Sequence, residues 1–191
     1  MQVPGCRPNI YPDGTGKKIE KGARFLFQLH YTPNGKATKD RTRMGLRFCK
    51  EPPKEEVKTR GVFSFKLRIP PNEPHAVATS EWTFKKPTRL ISMFPHMHMR
   101  GTAFRFEKLT GEGEDVQRTI LCDVPKYDFN WQNFYLPTEP PRFEPGDKIF
   151  CTAVYDNSKG NPFNPDPNRS VTWGDQTFEE MMIGYIDYVE E

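Results

Sequence analysis

Apolar residues in this chain occur in short runs with strand-like alternation, and almost nowhere with helical spacing. From Val62 to Ile69, apolar and polar residues alternate, which predicts a strand with one buried face. Further runs of apolar, aromatic and β-branched residues, separated by Pro, Gly, Asn and Asp, predict strands over 23–31, 44–49, 76–84, 88–99, 102–109, 118–122, 148–155 and 183–188. This pattern predicts an all-β protein, an antiparallel β-sandwich of the jelly-roll type.

Two segments fit this pattern less simply. Residues 178–182 have weak helical spacing, enough for one or two turns. The segment 127–135 is unusually aromatic, and a strand that buries alternate rings is the favoured interpretation. The alternative is a carbohydrate-binding surface made by Tyr127, Trp131 and Trp173, but aromatic side chains are more often part of a core.

A Pro-Pro pair at residues 52–53, flanked by charged residues, divides the pattern into two units. Residues 54–191 contain most of the predicted strands and form a β-sandwich domain. Residues 1–53 begin with a loop rich in Pro and Gly and contain only two predicted strands. We therefore expect a partial second β-sandwich unit over residues 1–53, at the N-terminus.

Composition and charge narrow the class of protein. The 191 residues carry a net charge of +3, with Lys and Arg spread among Asp and Glu, so the charge pattern gives no support for binding to nucleic acid or to a membrane surface. No stretch approaches the roughly 20 apolar residues of a membrane span, and the first residues lack the apolar core of a signal peptide. The four cysteines form no C-x-x-C pair, which argues against a zinc ribbon; they are free thiols or form up to two disulfides.

The stretch with the clearest chemistry is Phe94–Gly101, which contains two of the four histidines. On a strand, residues two apart share a face, so His96 and His98 point to one side, and Met97 and Met99 to the other. Two imidazoles on one strand face make half of a metal site. An accidental pair on a solvated strand is the alternative, and a third ligand from the end of the chain would decide for the metal.

The chain resembles the copper type II, ascorbate-dependent monooxygenase family, whose best-known members are peptidylglycine α-hydroxylating monooxygenase and dopamine β-hydroxylase. The stretches that carry the resemblance are Leu29-His30-Tyr31, His96-Met97-His98 with Arg100-Gly101, the turn and strand 144–151, and Glu179-Glu180-Met181-Met182. It extends over nearly the whole chain. Residues 3–5, 127–132 and 173–176 are similar to a bacterial branch in which this module is fused to cytochrome or redoxin domains.

By this resemblance, the catalytic copper is held by His96, His98 and Met181. A thioether is a soft donor that suits Cu(I), and imidazole suits both copper oxidation states. Met182 is the competing candidate. It stands where the animal enzymes carry a cysteine, so their disulfide at this place cannot form here, and Cys151 is left without that partner.

The resemblance also implies a second, electron-transfer copper bound by three histidines in the N-terminal domain. His30 matches the last of them, but the adjacent His-His pair that supplies the others does not occur in this chain. His75 lies in a Pro-rich loop, where a surface role is expected. We therefore expect the chain to be a fragment that lacks the first part of that domain, with the upstream domain of the same parent protein as its partner.

The implied function is hydroxylation of a C–H bond in a small-molecule or peptide substrate, using dioxygen and ascorbate or another one-electron reductant. The implied location is periplasmic or extracellular. A non-catalytic copper-binding or structural β-sandwich module of a larger bacterial envelope protein is the alternative.

Overall fold

The computed structural model describes residue 6 and residues 8–31 and 34–191. Over these residues the chain forms twelve β-strands, one short 3-10 turn at Gly113–Asp115 and no α-helix. The strands are β1 (Thr15–Gly16), β2 (Glu55–Glu56), β3 (Lys58–Phe63), β4 (Arg68–Ile69), β5 (Ala76–Thr83), β6 (Thr88–His96), β7 (Gly101–Thr110), β8 (Gln117–Val124), β9 (Arg142–Phe143), β10 (Lys148–Tyr155), β11 (Val171–Thr172) and β12 (Ile183–Glu190).

Two antiparallel four-stranded sheets make up the body of the protein. One sheet has the strand order β3-β12-β6-β9 and the other β5-β10-β7-β8. Two pairs of short strands, β4 with β11 and β1 with β2, lie beside them. The predicted all-β sandwich is therefore confirmed, while the jelly-roll assignment stays a prediction. The described part of the chain has no helix long and apolar enough to cross a membrane.

The core lies between the two sheets and follows from the period of two along each strand. In β10, Ile149, Cys151, Ala153 and Tyr155 are fully buried, and the residues between them are only partly covered. The opposite sheet contributes Leu90 and Met93 of β6 and Ile186 of β12 to the same cluster, together with Met97, which directly follows β6. Met97, the central residue of the H-M-H stretch, is therefore a core residue.

Three predictions about local structure within residues 54–191 are wrong. Residues 62–69 form two short strands rather than one, because a turn at 65–66 separates β3, which pairs with β12, from β4, which pairs with β11. The segment 127–135 is irregular and pairs with β6 only through a bridge between Tyr135 and Met93. Residues 178–182 form bends and a turn, without a helix.

The strands predicted over 23–31 and 44–49 are not formed. Their apolar side chains are exposed, among them Phe25, Phe27, Leu29 and Phe48. An extended segment becomes a strand only when its backbone pairs with a neighbour, and here these segments have no such pairing. The division of the chain at residues 53 and 54 stays a prediction.

All four cysteines are free thiols in this structure. Cys151 is fully buried in β10, and burial raises the pKa of its thiol far above the usual value. Cys122 and Cys6 are half-buried and Cys49 is exposed. Of the two alternatives that the sequence left open, the structure has the free thiols, although only Cys151 belongs to the core.

Candidate metal centre

The structure brings the His96 and His98 rings together at the end of β6. His96 is the last residue of the strand and His98 follows two residues later. Their ring centroids lie 5.3 Å apart, with the ring planes at 77°. Both side chains are buried, on the outer face of the sheet, while Met97 between them points into the core.

Hydrogen bonds fix the tautomer of both rings. The side-chain amide of Gln132 donates to the Phe129 carbonyl at 2.8 Å, which leaves its oxygen Oε1 facing Nδ1 of His96, also at 2.8 Å. Nδ1 of His98 lies 3.2 Å from the Glu179 carbonyl, which can only accept. Each Nδ1 therefore carries the proton, and each Nε2 keeps a free lone pair for a metal.

Both imidazoles are held in the neutral form. Burial lowers the pKa of His96 to about 4, and the hydrogen bond to Gln132 only partly opposes this. Burial also lowers the pKa of His98, against the carbonyls of Glu179 and Gln176. Neutral imidazole is the form that binds metals, so the rings are ready to act as ligands without first losing a proton.

Glu180 holds the turn that carries His98. Its carboxylate is fully buried and accepts the backbone N–H groups of His98, at 2.8 Å, and Arg100, at 2.7 Å. Burial raises the pKa of Glu180 to about 8, and these two N–H groups and the Arg100 charge limit the rise. The bidentate contact fixes the backbone on both sides of Met99, and so the position of the His98 ring.

Arg100 ties the same turn to the rest of the site. Its side chain is buried and donates to the Asn157 side-chain oxygen at 2.9 Å and to the Phe178 carbonyl at 2.8 Å. Asn157 is itself fully buried and donates to the carbonyls of Pro70 and Arg169. The segment that precedes Met181 is therefore held against the end of β6.

The segment 127–132 covers the other side of the H-M-H stretch. The Tyr127 hydroxyl accepts the Met97 backbone N–H at 3.0 Å and donates to the Met97 carbonyl at 2.6 Å. The sequence pattern favours a strand here and does not assign Tyr127 or Gln132 to the metal site. The only signal for Gln132 is that it is a polar side chain within an aromatic run.

Burial separates the two adjacent methionines. Ile183 pairs with His96 and Gly184 with Pro95. This pairing ends at Ile183 and His96, and Met181 and Met182 come just before it without regular structure. Met182 is fully buried in the core cluster with Met97, whereas Met181 is only half-buried. Met182 is therefore a core residue, and Met181 stays the candidate for the third ligand.

The two remaining histidines are exposed residues. His30 is exposed, although its charge contributes to lowering the pKa of both His96 and His98, so it lies within electrostatic range of them. His75 is exposed as well. Among the residues that the structure describes, no group of three or more His, Cys, Asp and Glu side chains could hold a metal ion.

The fold and site define a β-sandwich with two neutral imidazoles at the end of one strand. The family model for the copper type II ascorbate-dependent monooxygenase, C-terminal domain, matches residues 57–191, and the chain belongs to this family. Copper and ascorbate are the cofactor and reductant of the family, whose reaction also requires dioxygen and a substrate. No curated protein matches the chain.

The residues of the site fit copper. Two imidazole nitrogens with free lone pairs suit either oxidation state, and the thioether of Met181 would suit Cu(I). Both oxygens of the buried Glu180 carboxylate accept backbone N–H groups, so this acid is not directed at the two rings. The donor set is therefore soft and uncharged, unlike the oxygen-rich sites of Ca²⁺ and Mg²⁺.

Proposed function

We propose that this chain is the catalytic-copper half of a monooxygenase that hydroxylates a C–H bond with dioxygen and ascorbate or a similar one-electron reductant. His96, His98 and Met181 would hold the copper. The observation that carries the proposal is the pair of buried, neutral imidazoles with fixed tautomers, next to a segment in which Met182 belongs to the core and Met181 is half-buried.

The chain's own residues have distinct roles in this proposal. When bound, the copper supplies the one-electron redox chemistry that activates dioxygen. Gln132 and the Glu179 carbonyl orient the two rings by holding the proton on Nδ1. Glu180 and Arg100 fix the backbone between the ligands. The burial of both rings keeps bulk water away from the side of the site that segment 127–132 covers.

The N-terminal stretch would belong to the second copper centre of the same parent protein. His30 would be one of its three ligands, and residues 1–53 would be the end of the N-terminal copper domain. The start of the family match at residue 57 supports this division. We further propose the bacterial branch of the family, a jelly-roll sandwich and a periplasmic or extracellular location, since members of the family are typically secreted or lumenal.

A second candidate is a non-catalytic copper-binding or structural module. It is favoured by the lack, in the described part of the chain, of a second cluster of three metal-binding side chains. A His-His pair upstream of this chain in the parent protein would favour the enzyme, and its absence there would favour the module.

Copper stoichiometry combined with X-ray absorption on the reduced protein tests the assignment. We expect one copper per chain, with two nitrogen scatterers from imidazole and one sulfur. The double variant His96→Ala/His98→Ala should lose this copper and keep the fold, whereas the matched control His75→Ala, at an exposed histidine, should bind copper normally. Equal uptake by the double variant and the wild type would refute the assignment.

A further inference from the structure

A groove on the outer face of the β3-β12-β6-β9 sheet has no role in holding the copper. It is a cavity of about 510 Å³, within the size range of small-molecule sites. Strands β6 and β12 form its floor, and residues 8–11 and 131–136 form its walls. The lining is largely apolar. Its large apolar side chains are those of Ile10, Ile91, Trp131, Phe134 and Leu136.

The floor contains one buried acid. Asp187 is 3% exposed. Its Oδ1 accepts hydrogen bonds from the Lys17 ammonium, at 2.9 Å, and from the Thr59 hydroxyl, and its Oδ2 accepts from the Ser92 hydroxyl at 3.1 Å. These four residues, the Asp187 quartet, contain one positive and one negative charge, so the floor is neutral.

The quartet and the candidate copper site lie on the same outer face of the sheet. Along the strands they are separated by two steps between residue pairs on that face. Asp187 pairs with Ser92, Tyr185 with Phe94, and Ile183 with His96. A smaller cavity of about 30 Å³, room for about one water, lies at the quartet and is also lined by Phe94 and Tyr185. The four steps from Ser92 to His96 cover about 13 Å along the strand.

The hydrogen-bonding capacity of the quartet defines the ligand end that fits it. Lys17 has three N–H donors, and Asp187, Thr59 and Tyr11 are its hydrogen-bond partners. Oδ2 of Asp187 accepts one bond and has room for a second. A charged group would add an unpaired charge to a buried neutral floor, which is unfavourable. A hydroxyl or an amide donates to the free position on Oδ2 without adding a charge.

We propose that this groove binds the substrate, and that the substrate is an elongated, uncharged, largely apolar molecule whose hydroxyl or amide end contacts the Asp187 quartet. The inference rests on the proposed function, because it sets the carbon to be hydroxylated near His96. The span along β6 then requires about 13 Å between the polar end and that carbon. Lys17 and Asp187 determine specificity by charge, and Trp131 and its apolar neighbours bind the body of the molecule.

Three probes with one apolar body and different ends test the charge rule: phenylhexanol, phenylhexylamine and phenylhexanoate. Binding is measured by calorimetry on the copper-free protein. We expect the alcohol to bind at least about tenfold more tightly than either charged probe, a difference of about 1.4 kcal/mol. Equal or tighter binding of a charged probe, or no binding of the alcohol, would overturn the proposal.

Charge variants of the quartet should invert the preference. Lys17→Met leaves the Asp187 carboxylate unpaired and should favour the amine, and Asp187→Asn leaves the Lys17 ammonium unpaired and should favour the acid. Lys159→Met, at an exposed loop lysine, is the matched control and should keep the preference for the alcohol. If Asp187→Asn does not fold, Lys17→Met decides, since that side chain is 37% exposed. An unchanged order of probes in Lys17→Met refutes the role of the quartet.

The apolar wall has its own control. Trp131→Ala should weaken all three probes by a similar factor, because it removes contact with the shared body. Phe163→Ala, another exposed aromatic residue, should change nothing. A change confined to one probe would contradict the assigned role of Trp131.

Titration of the variant His96→Ala/His98→Ala with the same probes separates this inference from the proposed function. We expect this variant to lose the copper and to keep the preference for the alcohol. If the wild type fails to bind copper but the preference for the alcohol and its inversion remain, the groove stands and the copper assignment falls. If copper binds as expected and the probes do not discriminate by charge, the copper assignment stands and the groove falls.

Discussion

The sandwich of residues 57–191 and the stretch of residues 8–31 and 34–54 contain similar apolar residues with opposite outcomes. In the sandwich, Phe104 and Phe106 of β7 are buried between the sheets. In the N-terminal stretch, Phe25 is 51% and Leu26 is 98% exposed. The difference arises from pairing, because each long strand of the sandwich has a neighbour that satisfies its backbone.

The same contrast applies to the histidines. The His96 and His98 rings have hydrogen-bond partners that fix their orientation, and these partners come from residues 132 and 179. His30 lies in a segment without strand pairing and is exposed. A histidine becomes a ready metal ligand through the contacts that the fold brings to it, and the sandwich supplies such contacts to its own pair.

Matched phenylalanine variants give the largest expected difference between the two regions. Phe106→Ala removes a fully buried ring and should lower the free energy of unfolding by about 3–5 kcal/mol. Phe25→Ala removes an exposed ring and should change it by no more than about 0.5 kcal/mol. Urea denaturation measures both. A loss of similar size in the two variants would show that the N-terminal stretch packs as tightly as the sandwich.

The two adjacent methionines test the face assignment within the sandwich. Met181→Ile should weaken Cu(I) binding much more than Cu(II) binding, since a thioether prefers the reduced metal. Met182→Ile should leave copper binding unchanged and cost less than about 1.5 kcal/mol of stability, because it is a core substitution of similar volume. A sulfur scatterer that survives Met181→Ile and disappears in Met182→Ile would reverse the assignment.

Gln132→Leu tests whether the contacts of the fold prepare the ligand. It removes the acceptor of the His96 Nδ1–H, so copper affinity should fall by about 10–100-fold while the copper stoichiometry at saturation stays at one. Gln117→Leu, at an exposed position of β8, is the control and should bind copper as the wild type does. Unchanged affinity in Gln132→Leu would show that the hydrogen bond does not orient the ring for binding.

The sequence predicted strands best where alternation continues without interruption. The prediction for 148–155 coincides with β10, that for 76–84 is one residue longer than β5, and that for 102–109 is one residue shorter than β7 at each end. It failed over 62–69, where the alternation continues through a turn, and over 23–31 and 44–49, where strand-like composition has no pairing partner. Composition reports the preference of a segment, and pairing depends on residues elsewhere in the chain.

The candidate site divides in the same way. The period of two was enough to set His96 and His98 on one face and Met97 on the other. The roles of Gln132 and Glu180 could not be predicted, because their contacts join residues 36 and 80 or more positions apart in the chain. The contrast between the buried Met182 and the half-buried Met181 depends on packing between the sheets, which the alternation along the sequence does not show.

His30→Ala is expected to have the smallest effect, and it tests whether the two regions are independent. His30 is exposed, so its removal should change the free energy of unfolding by no more than about 0.5 kcal/mol. Its charge contributes to lowering the pKa of His96 and His98, so the variant should raise both pKa values slightly without removing a ligand. Copper titration should therefore give the same first equivalent as the wild type. Loss of that equivalent would mean that His30 binds the same copper as the sandwich pair, and that the N-terminal stretch completes the site instead of belonging to another one.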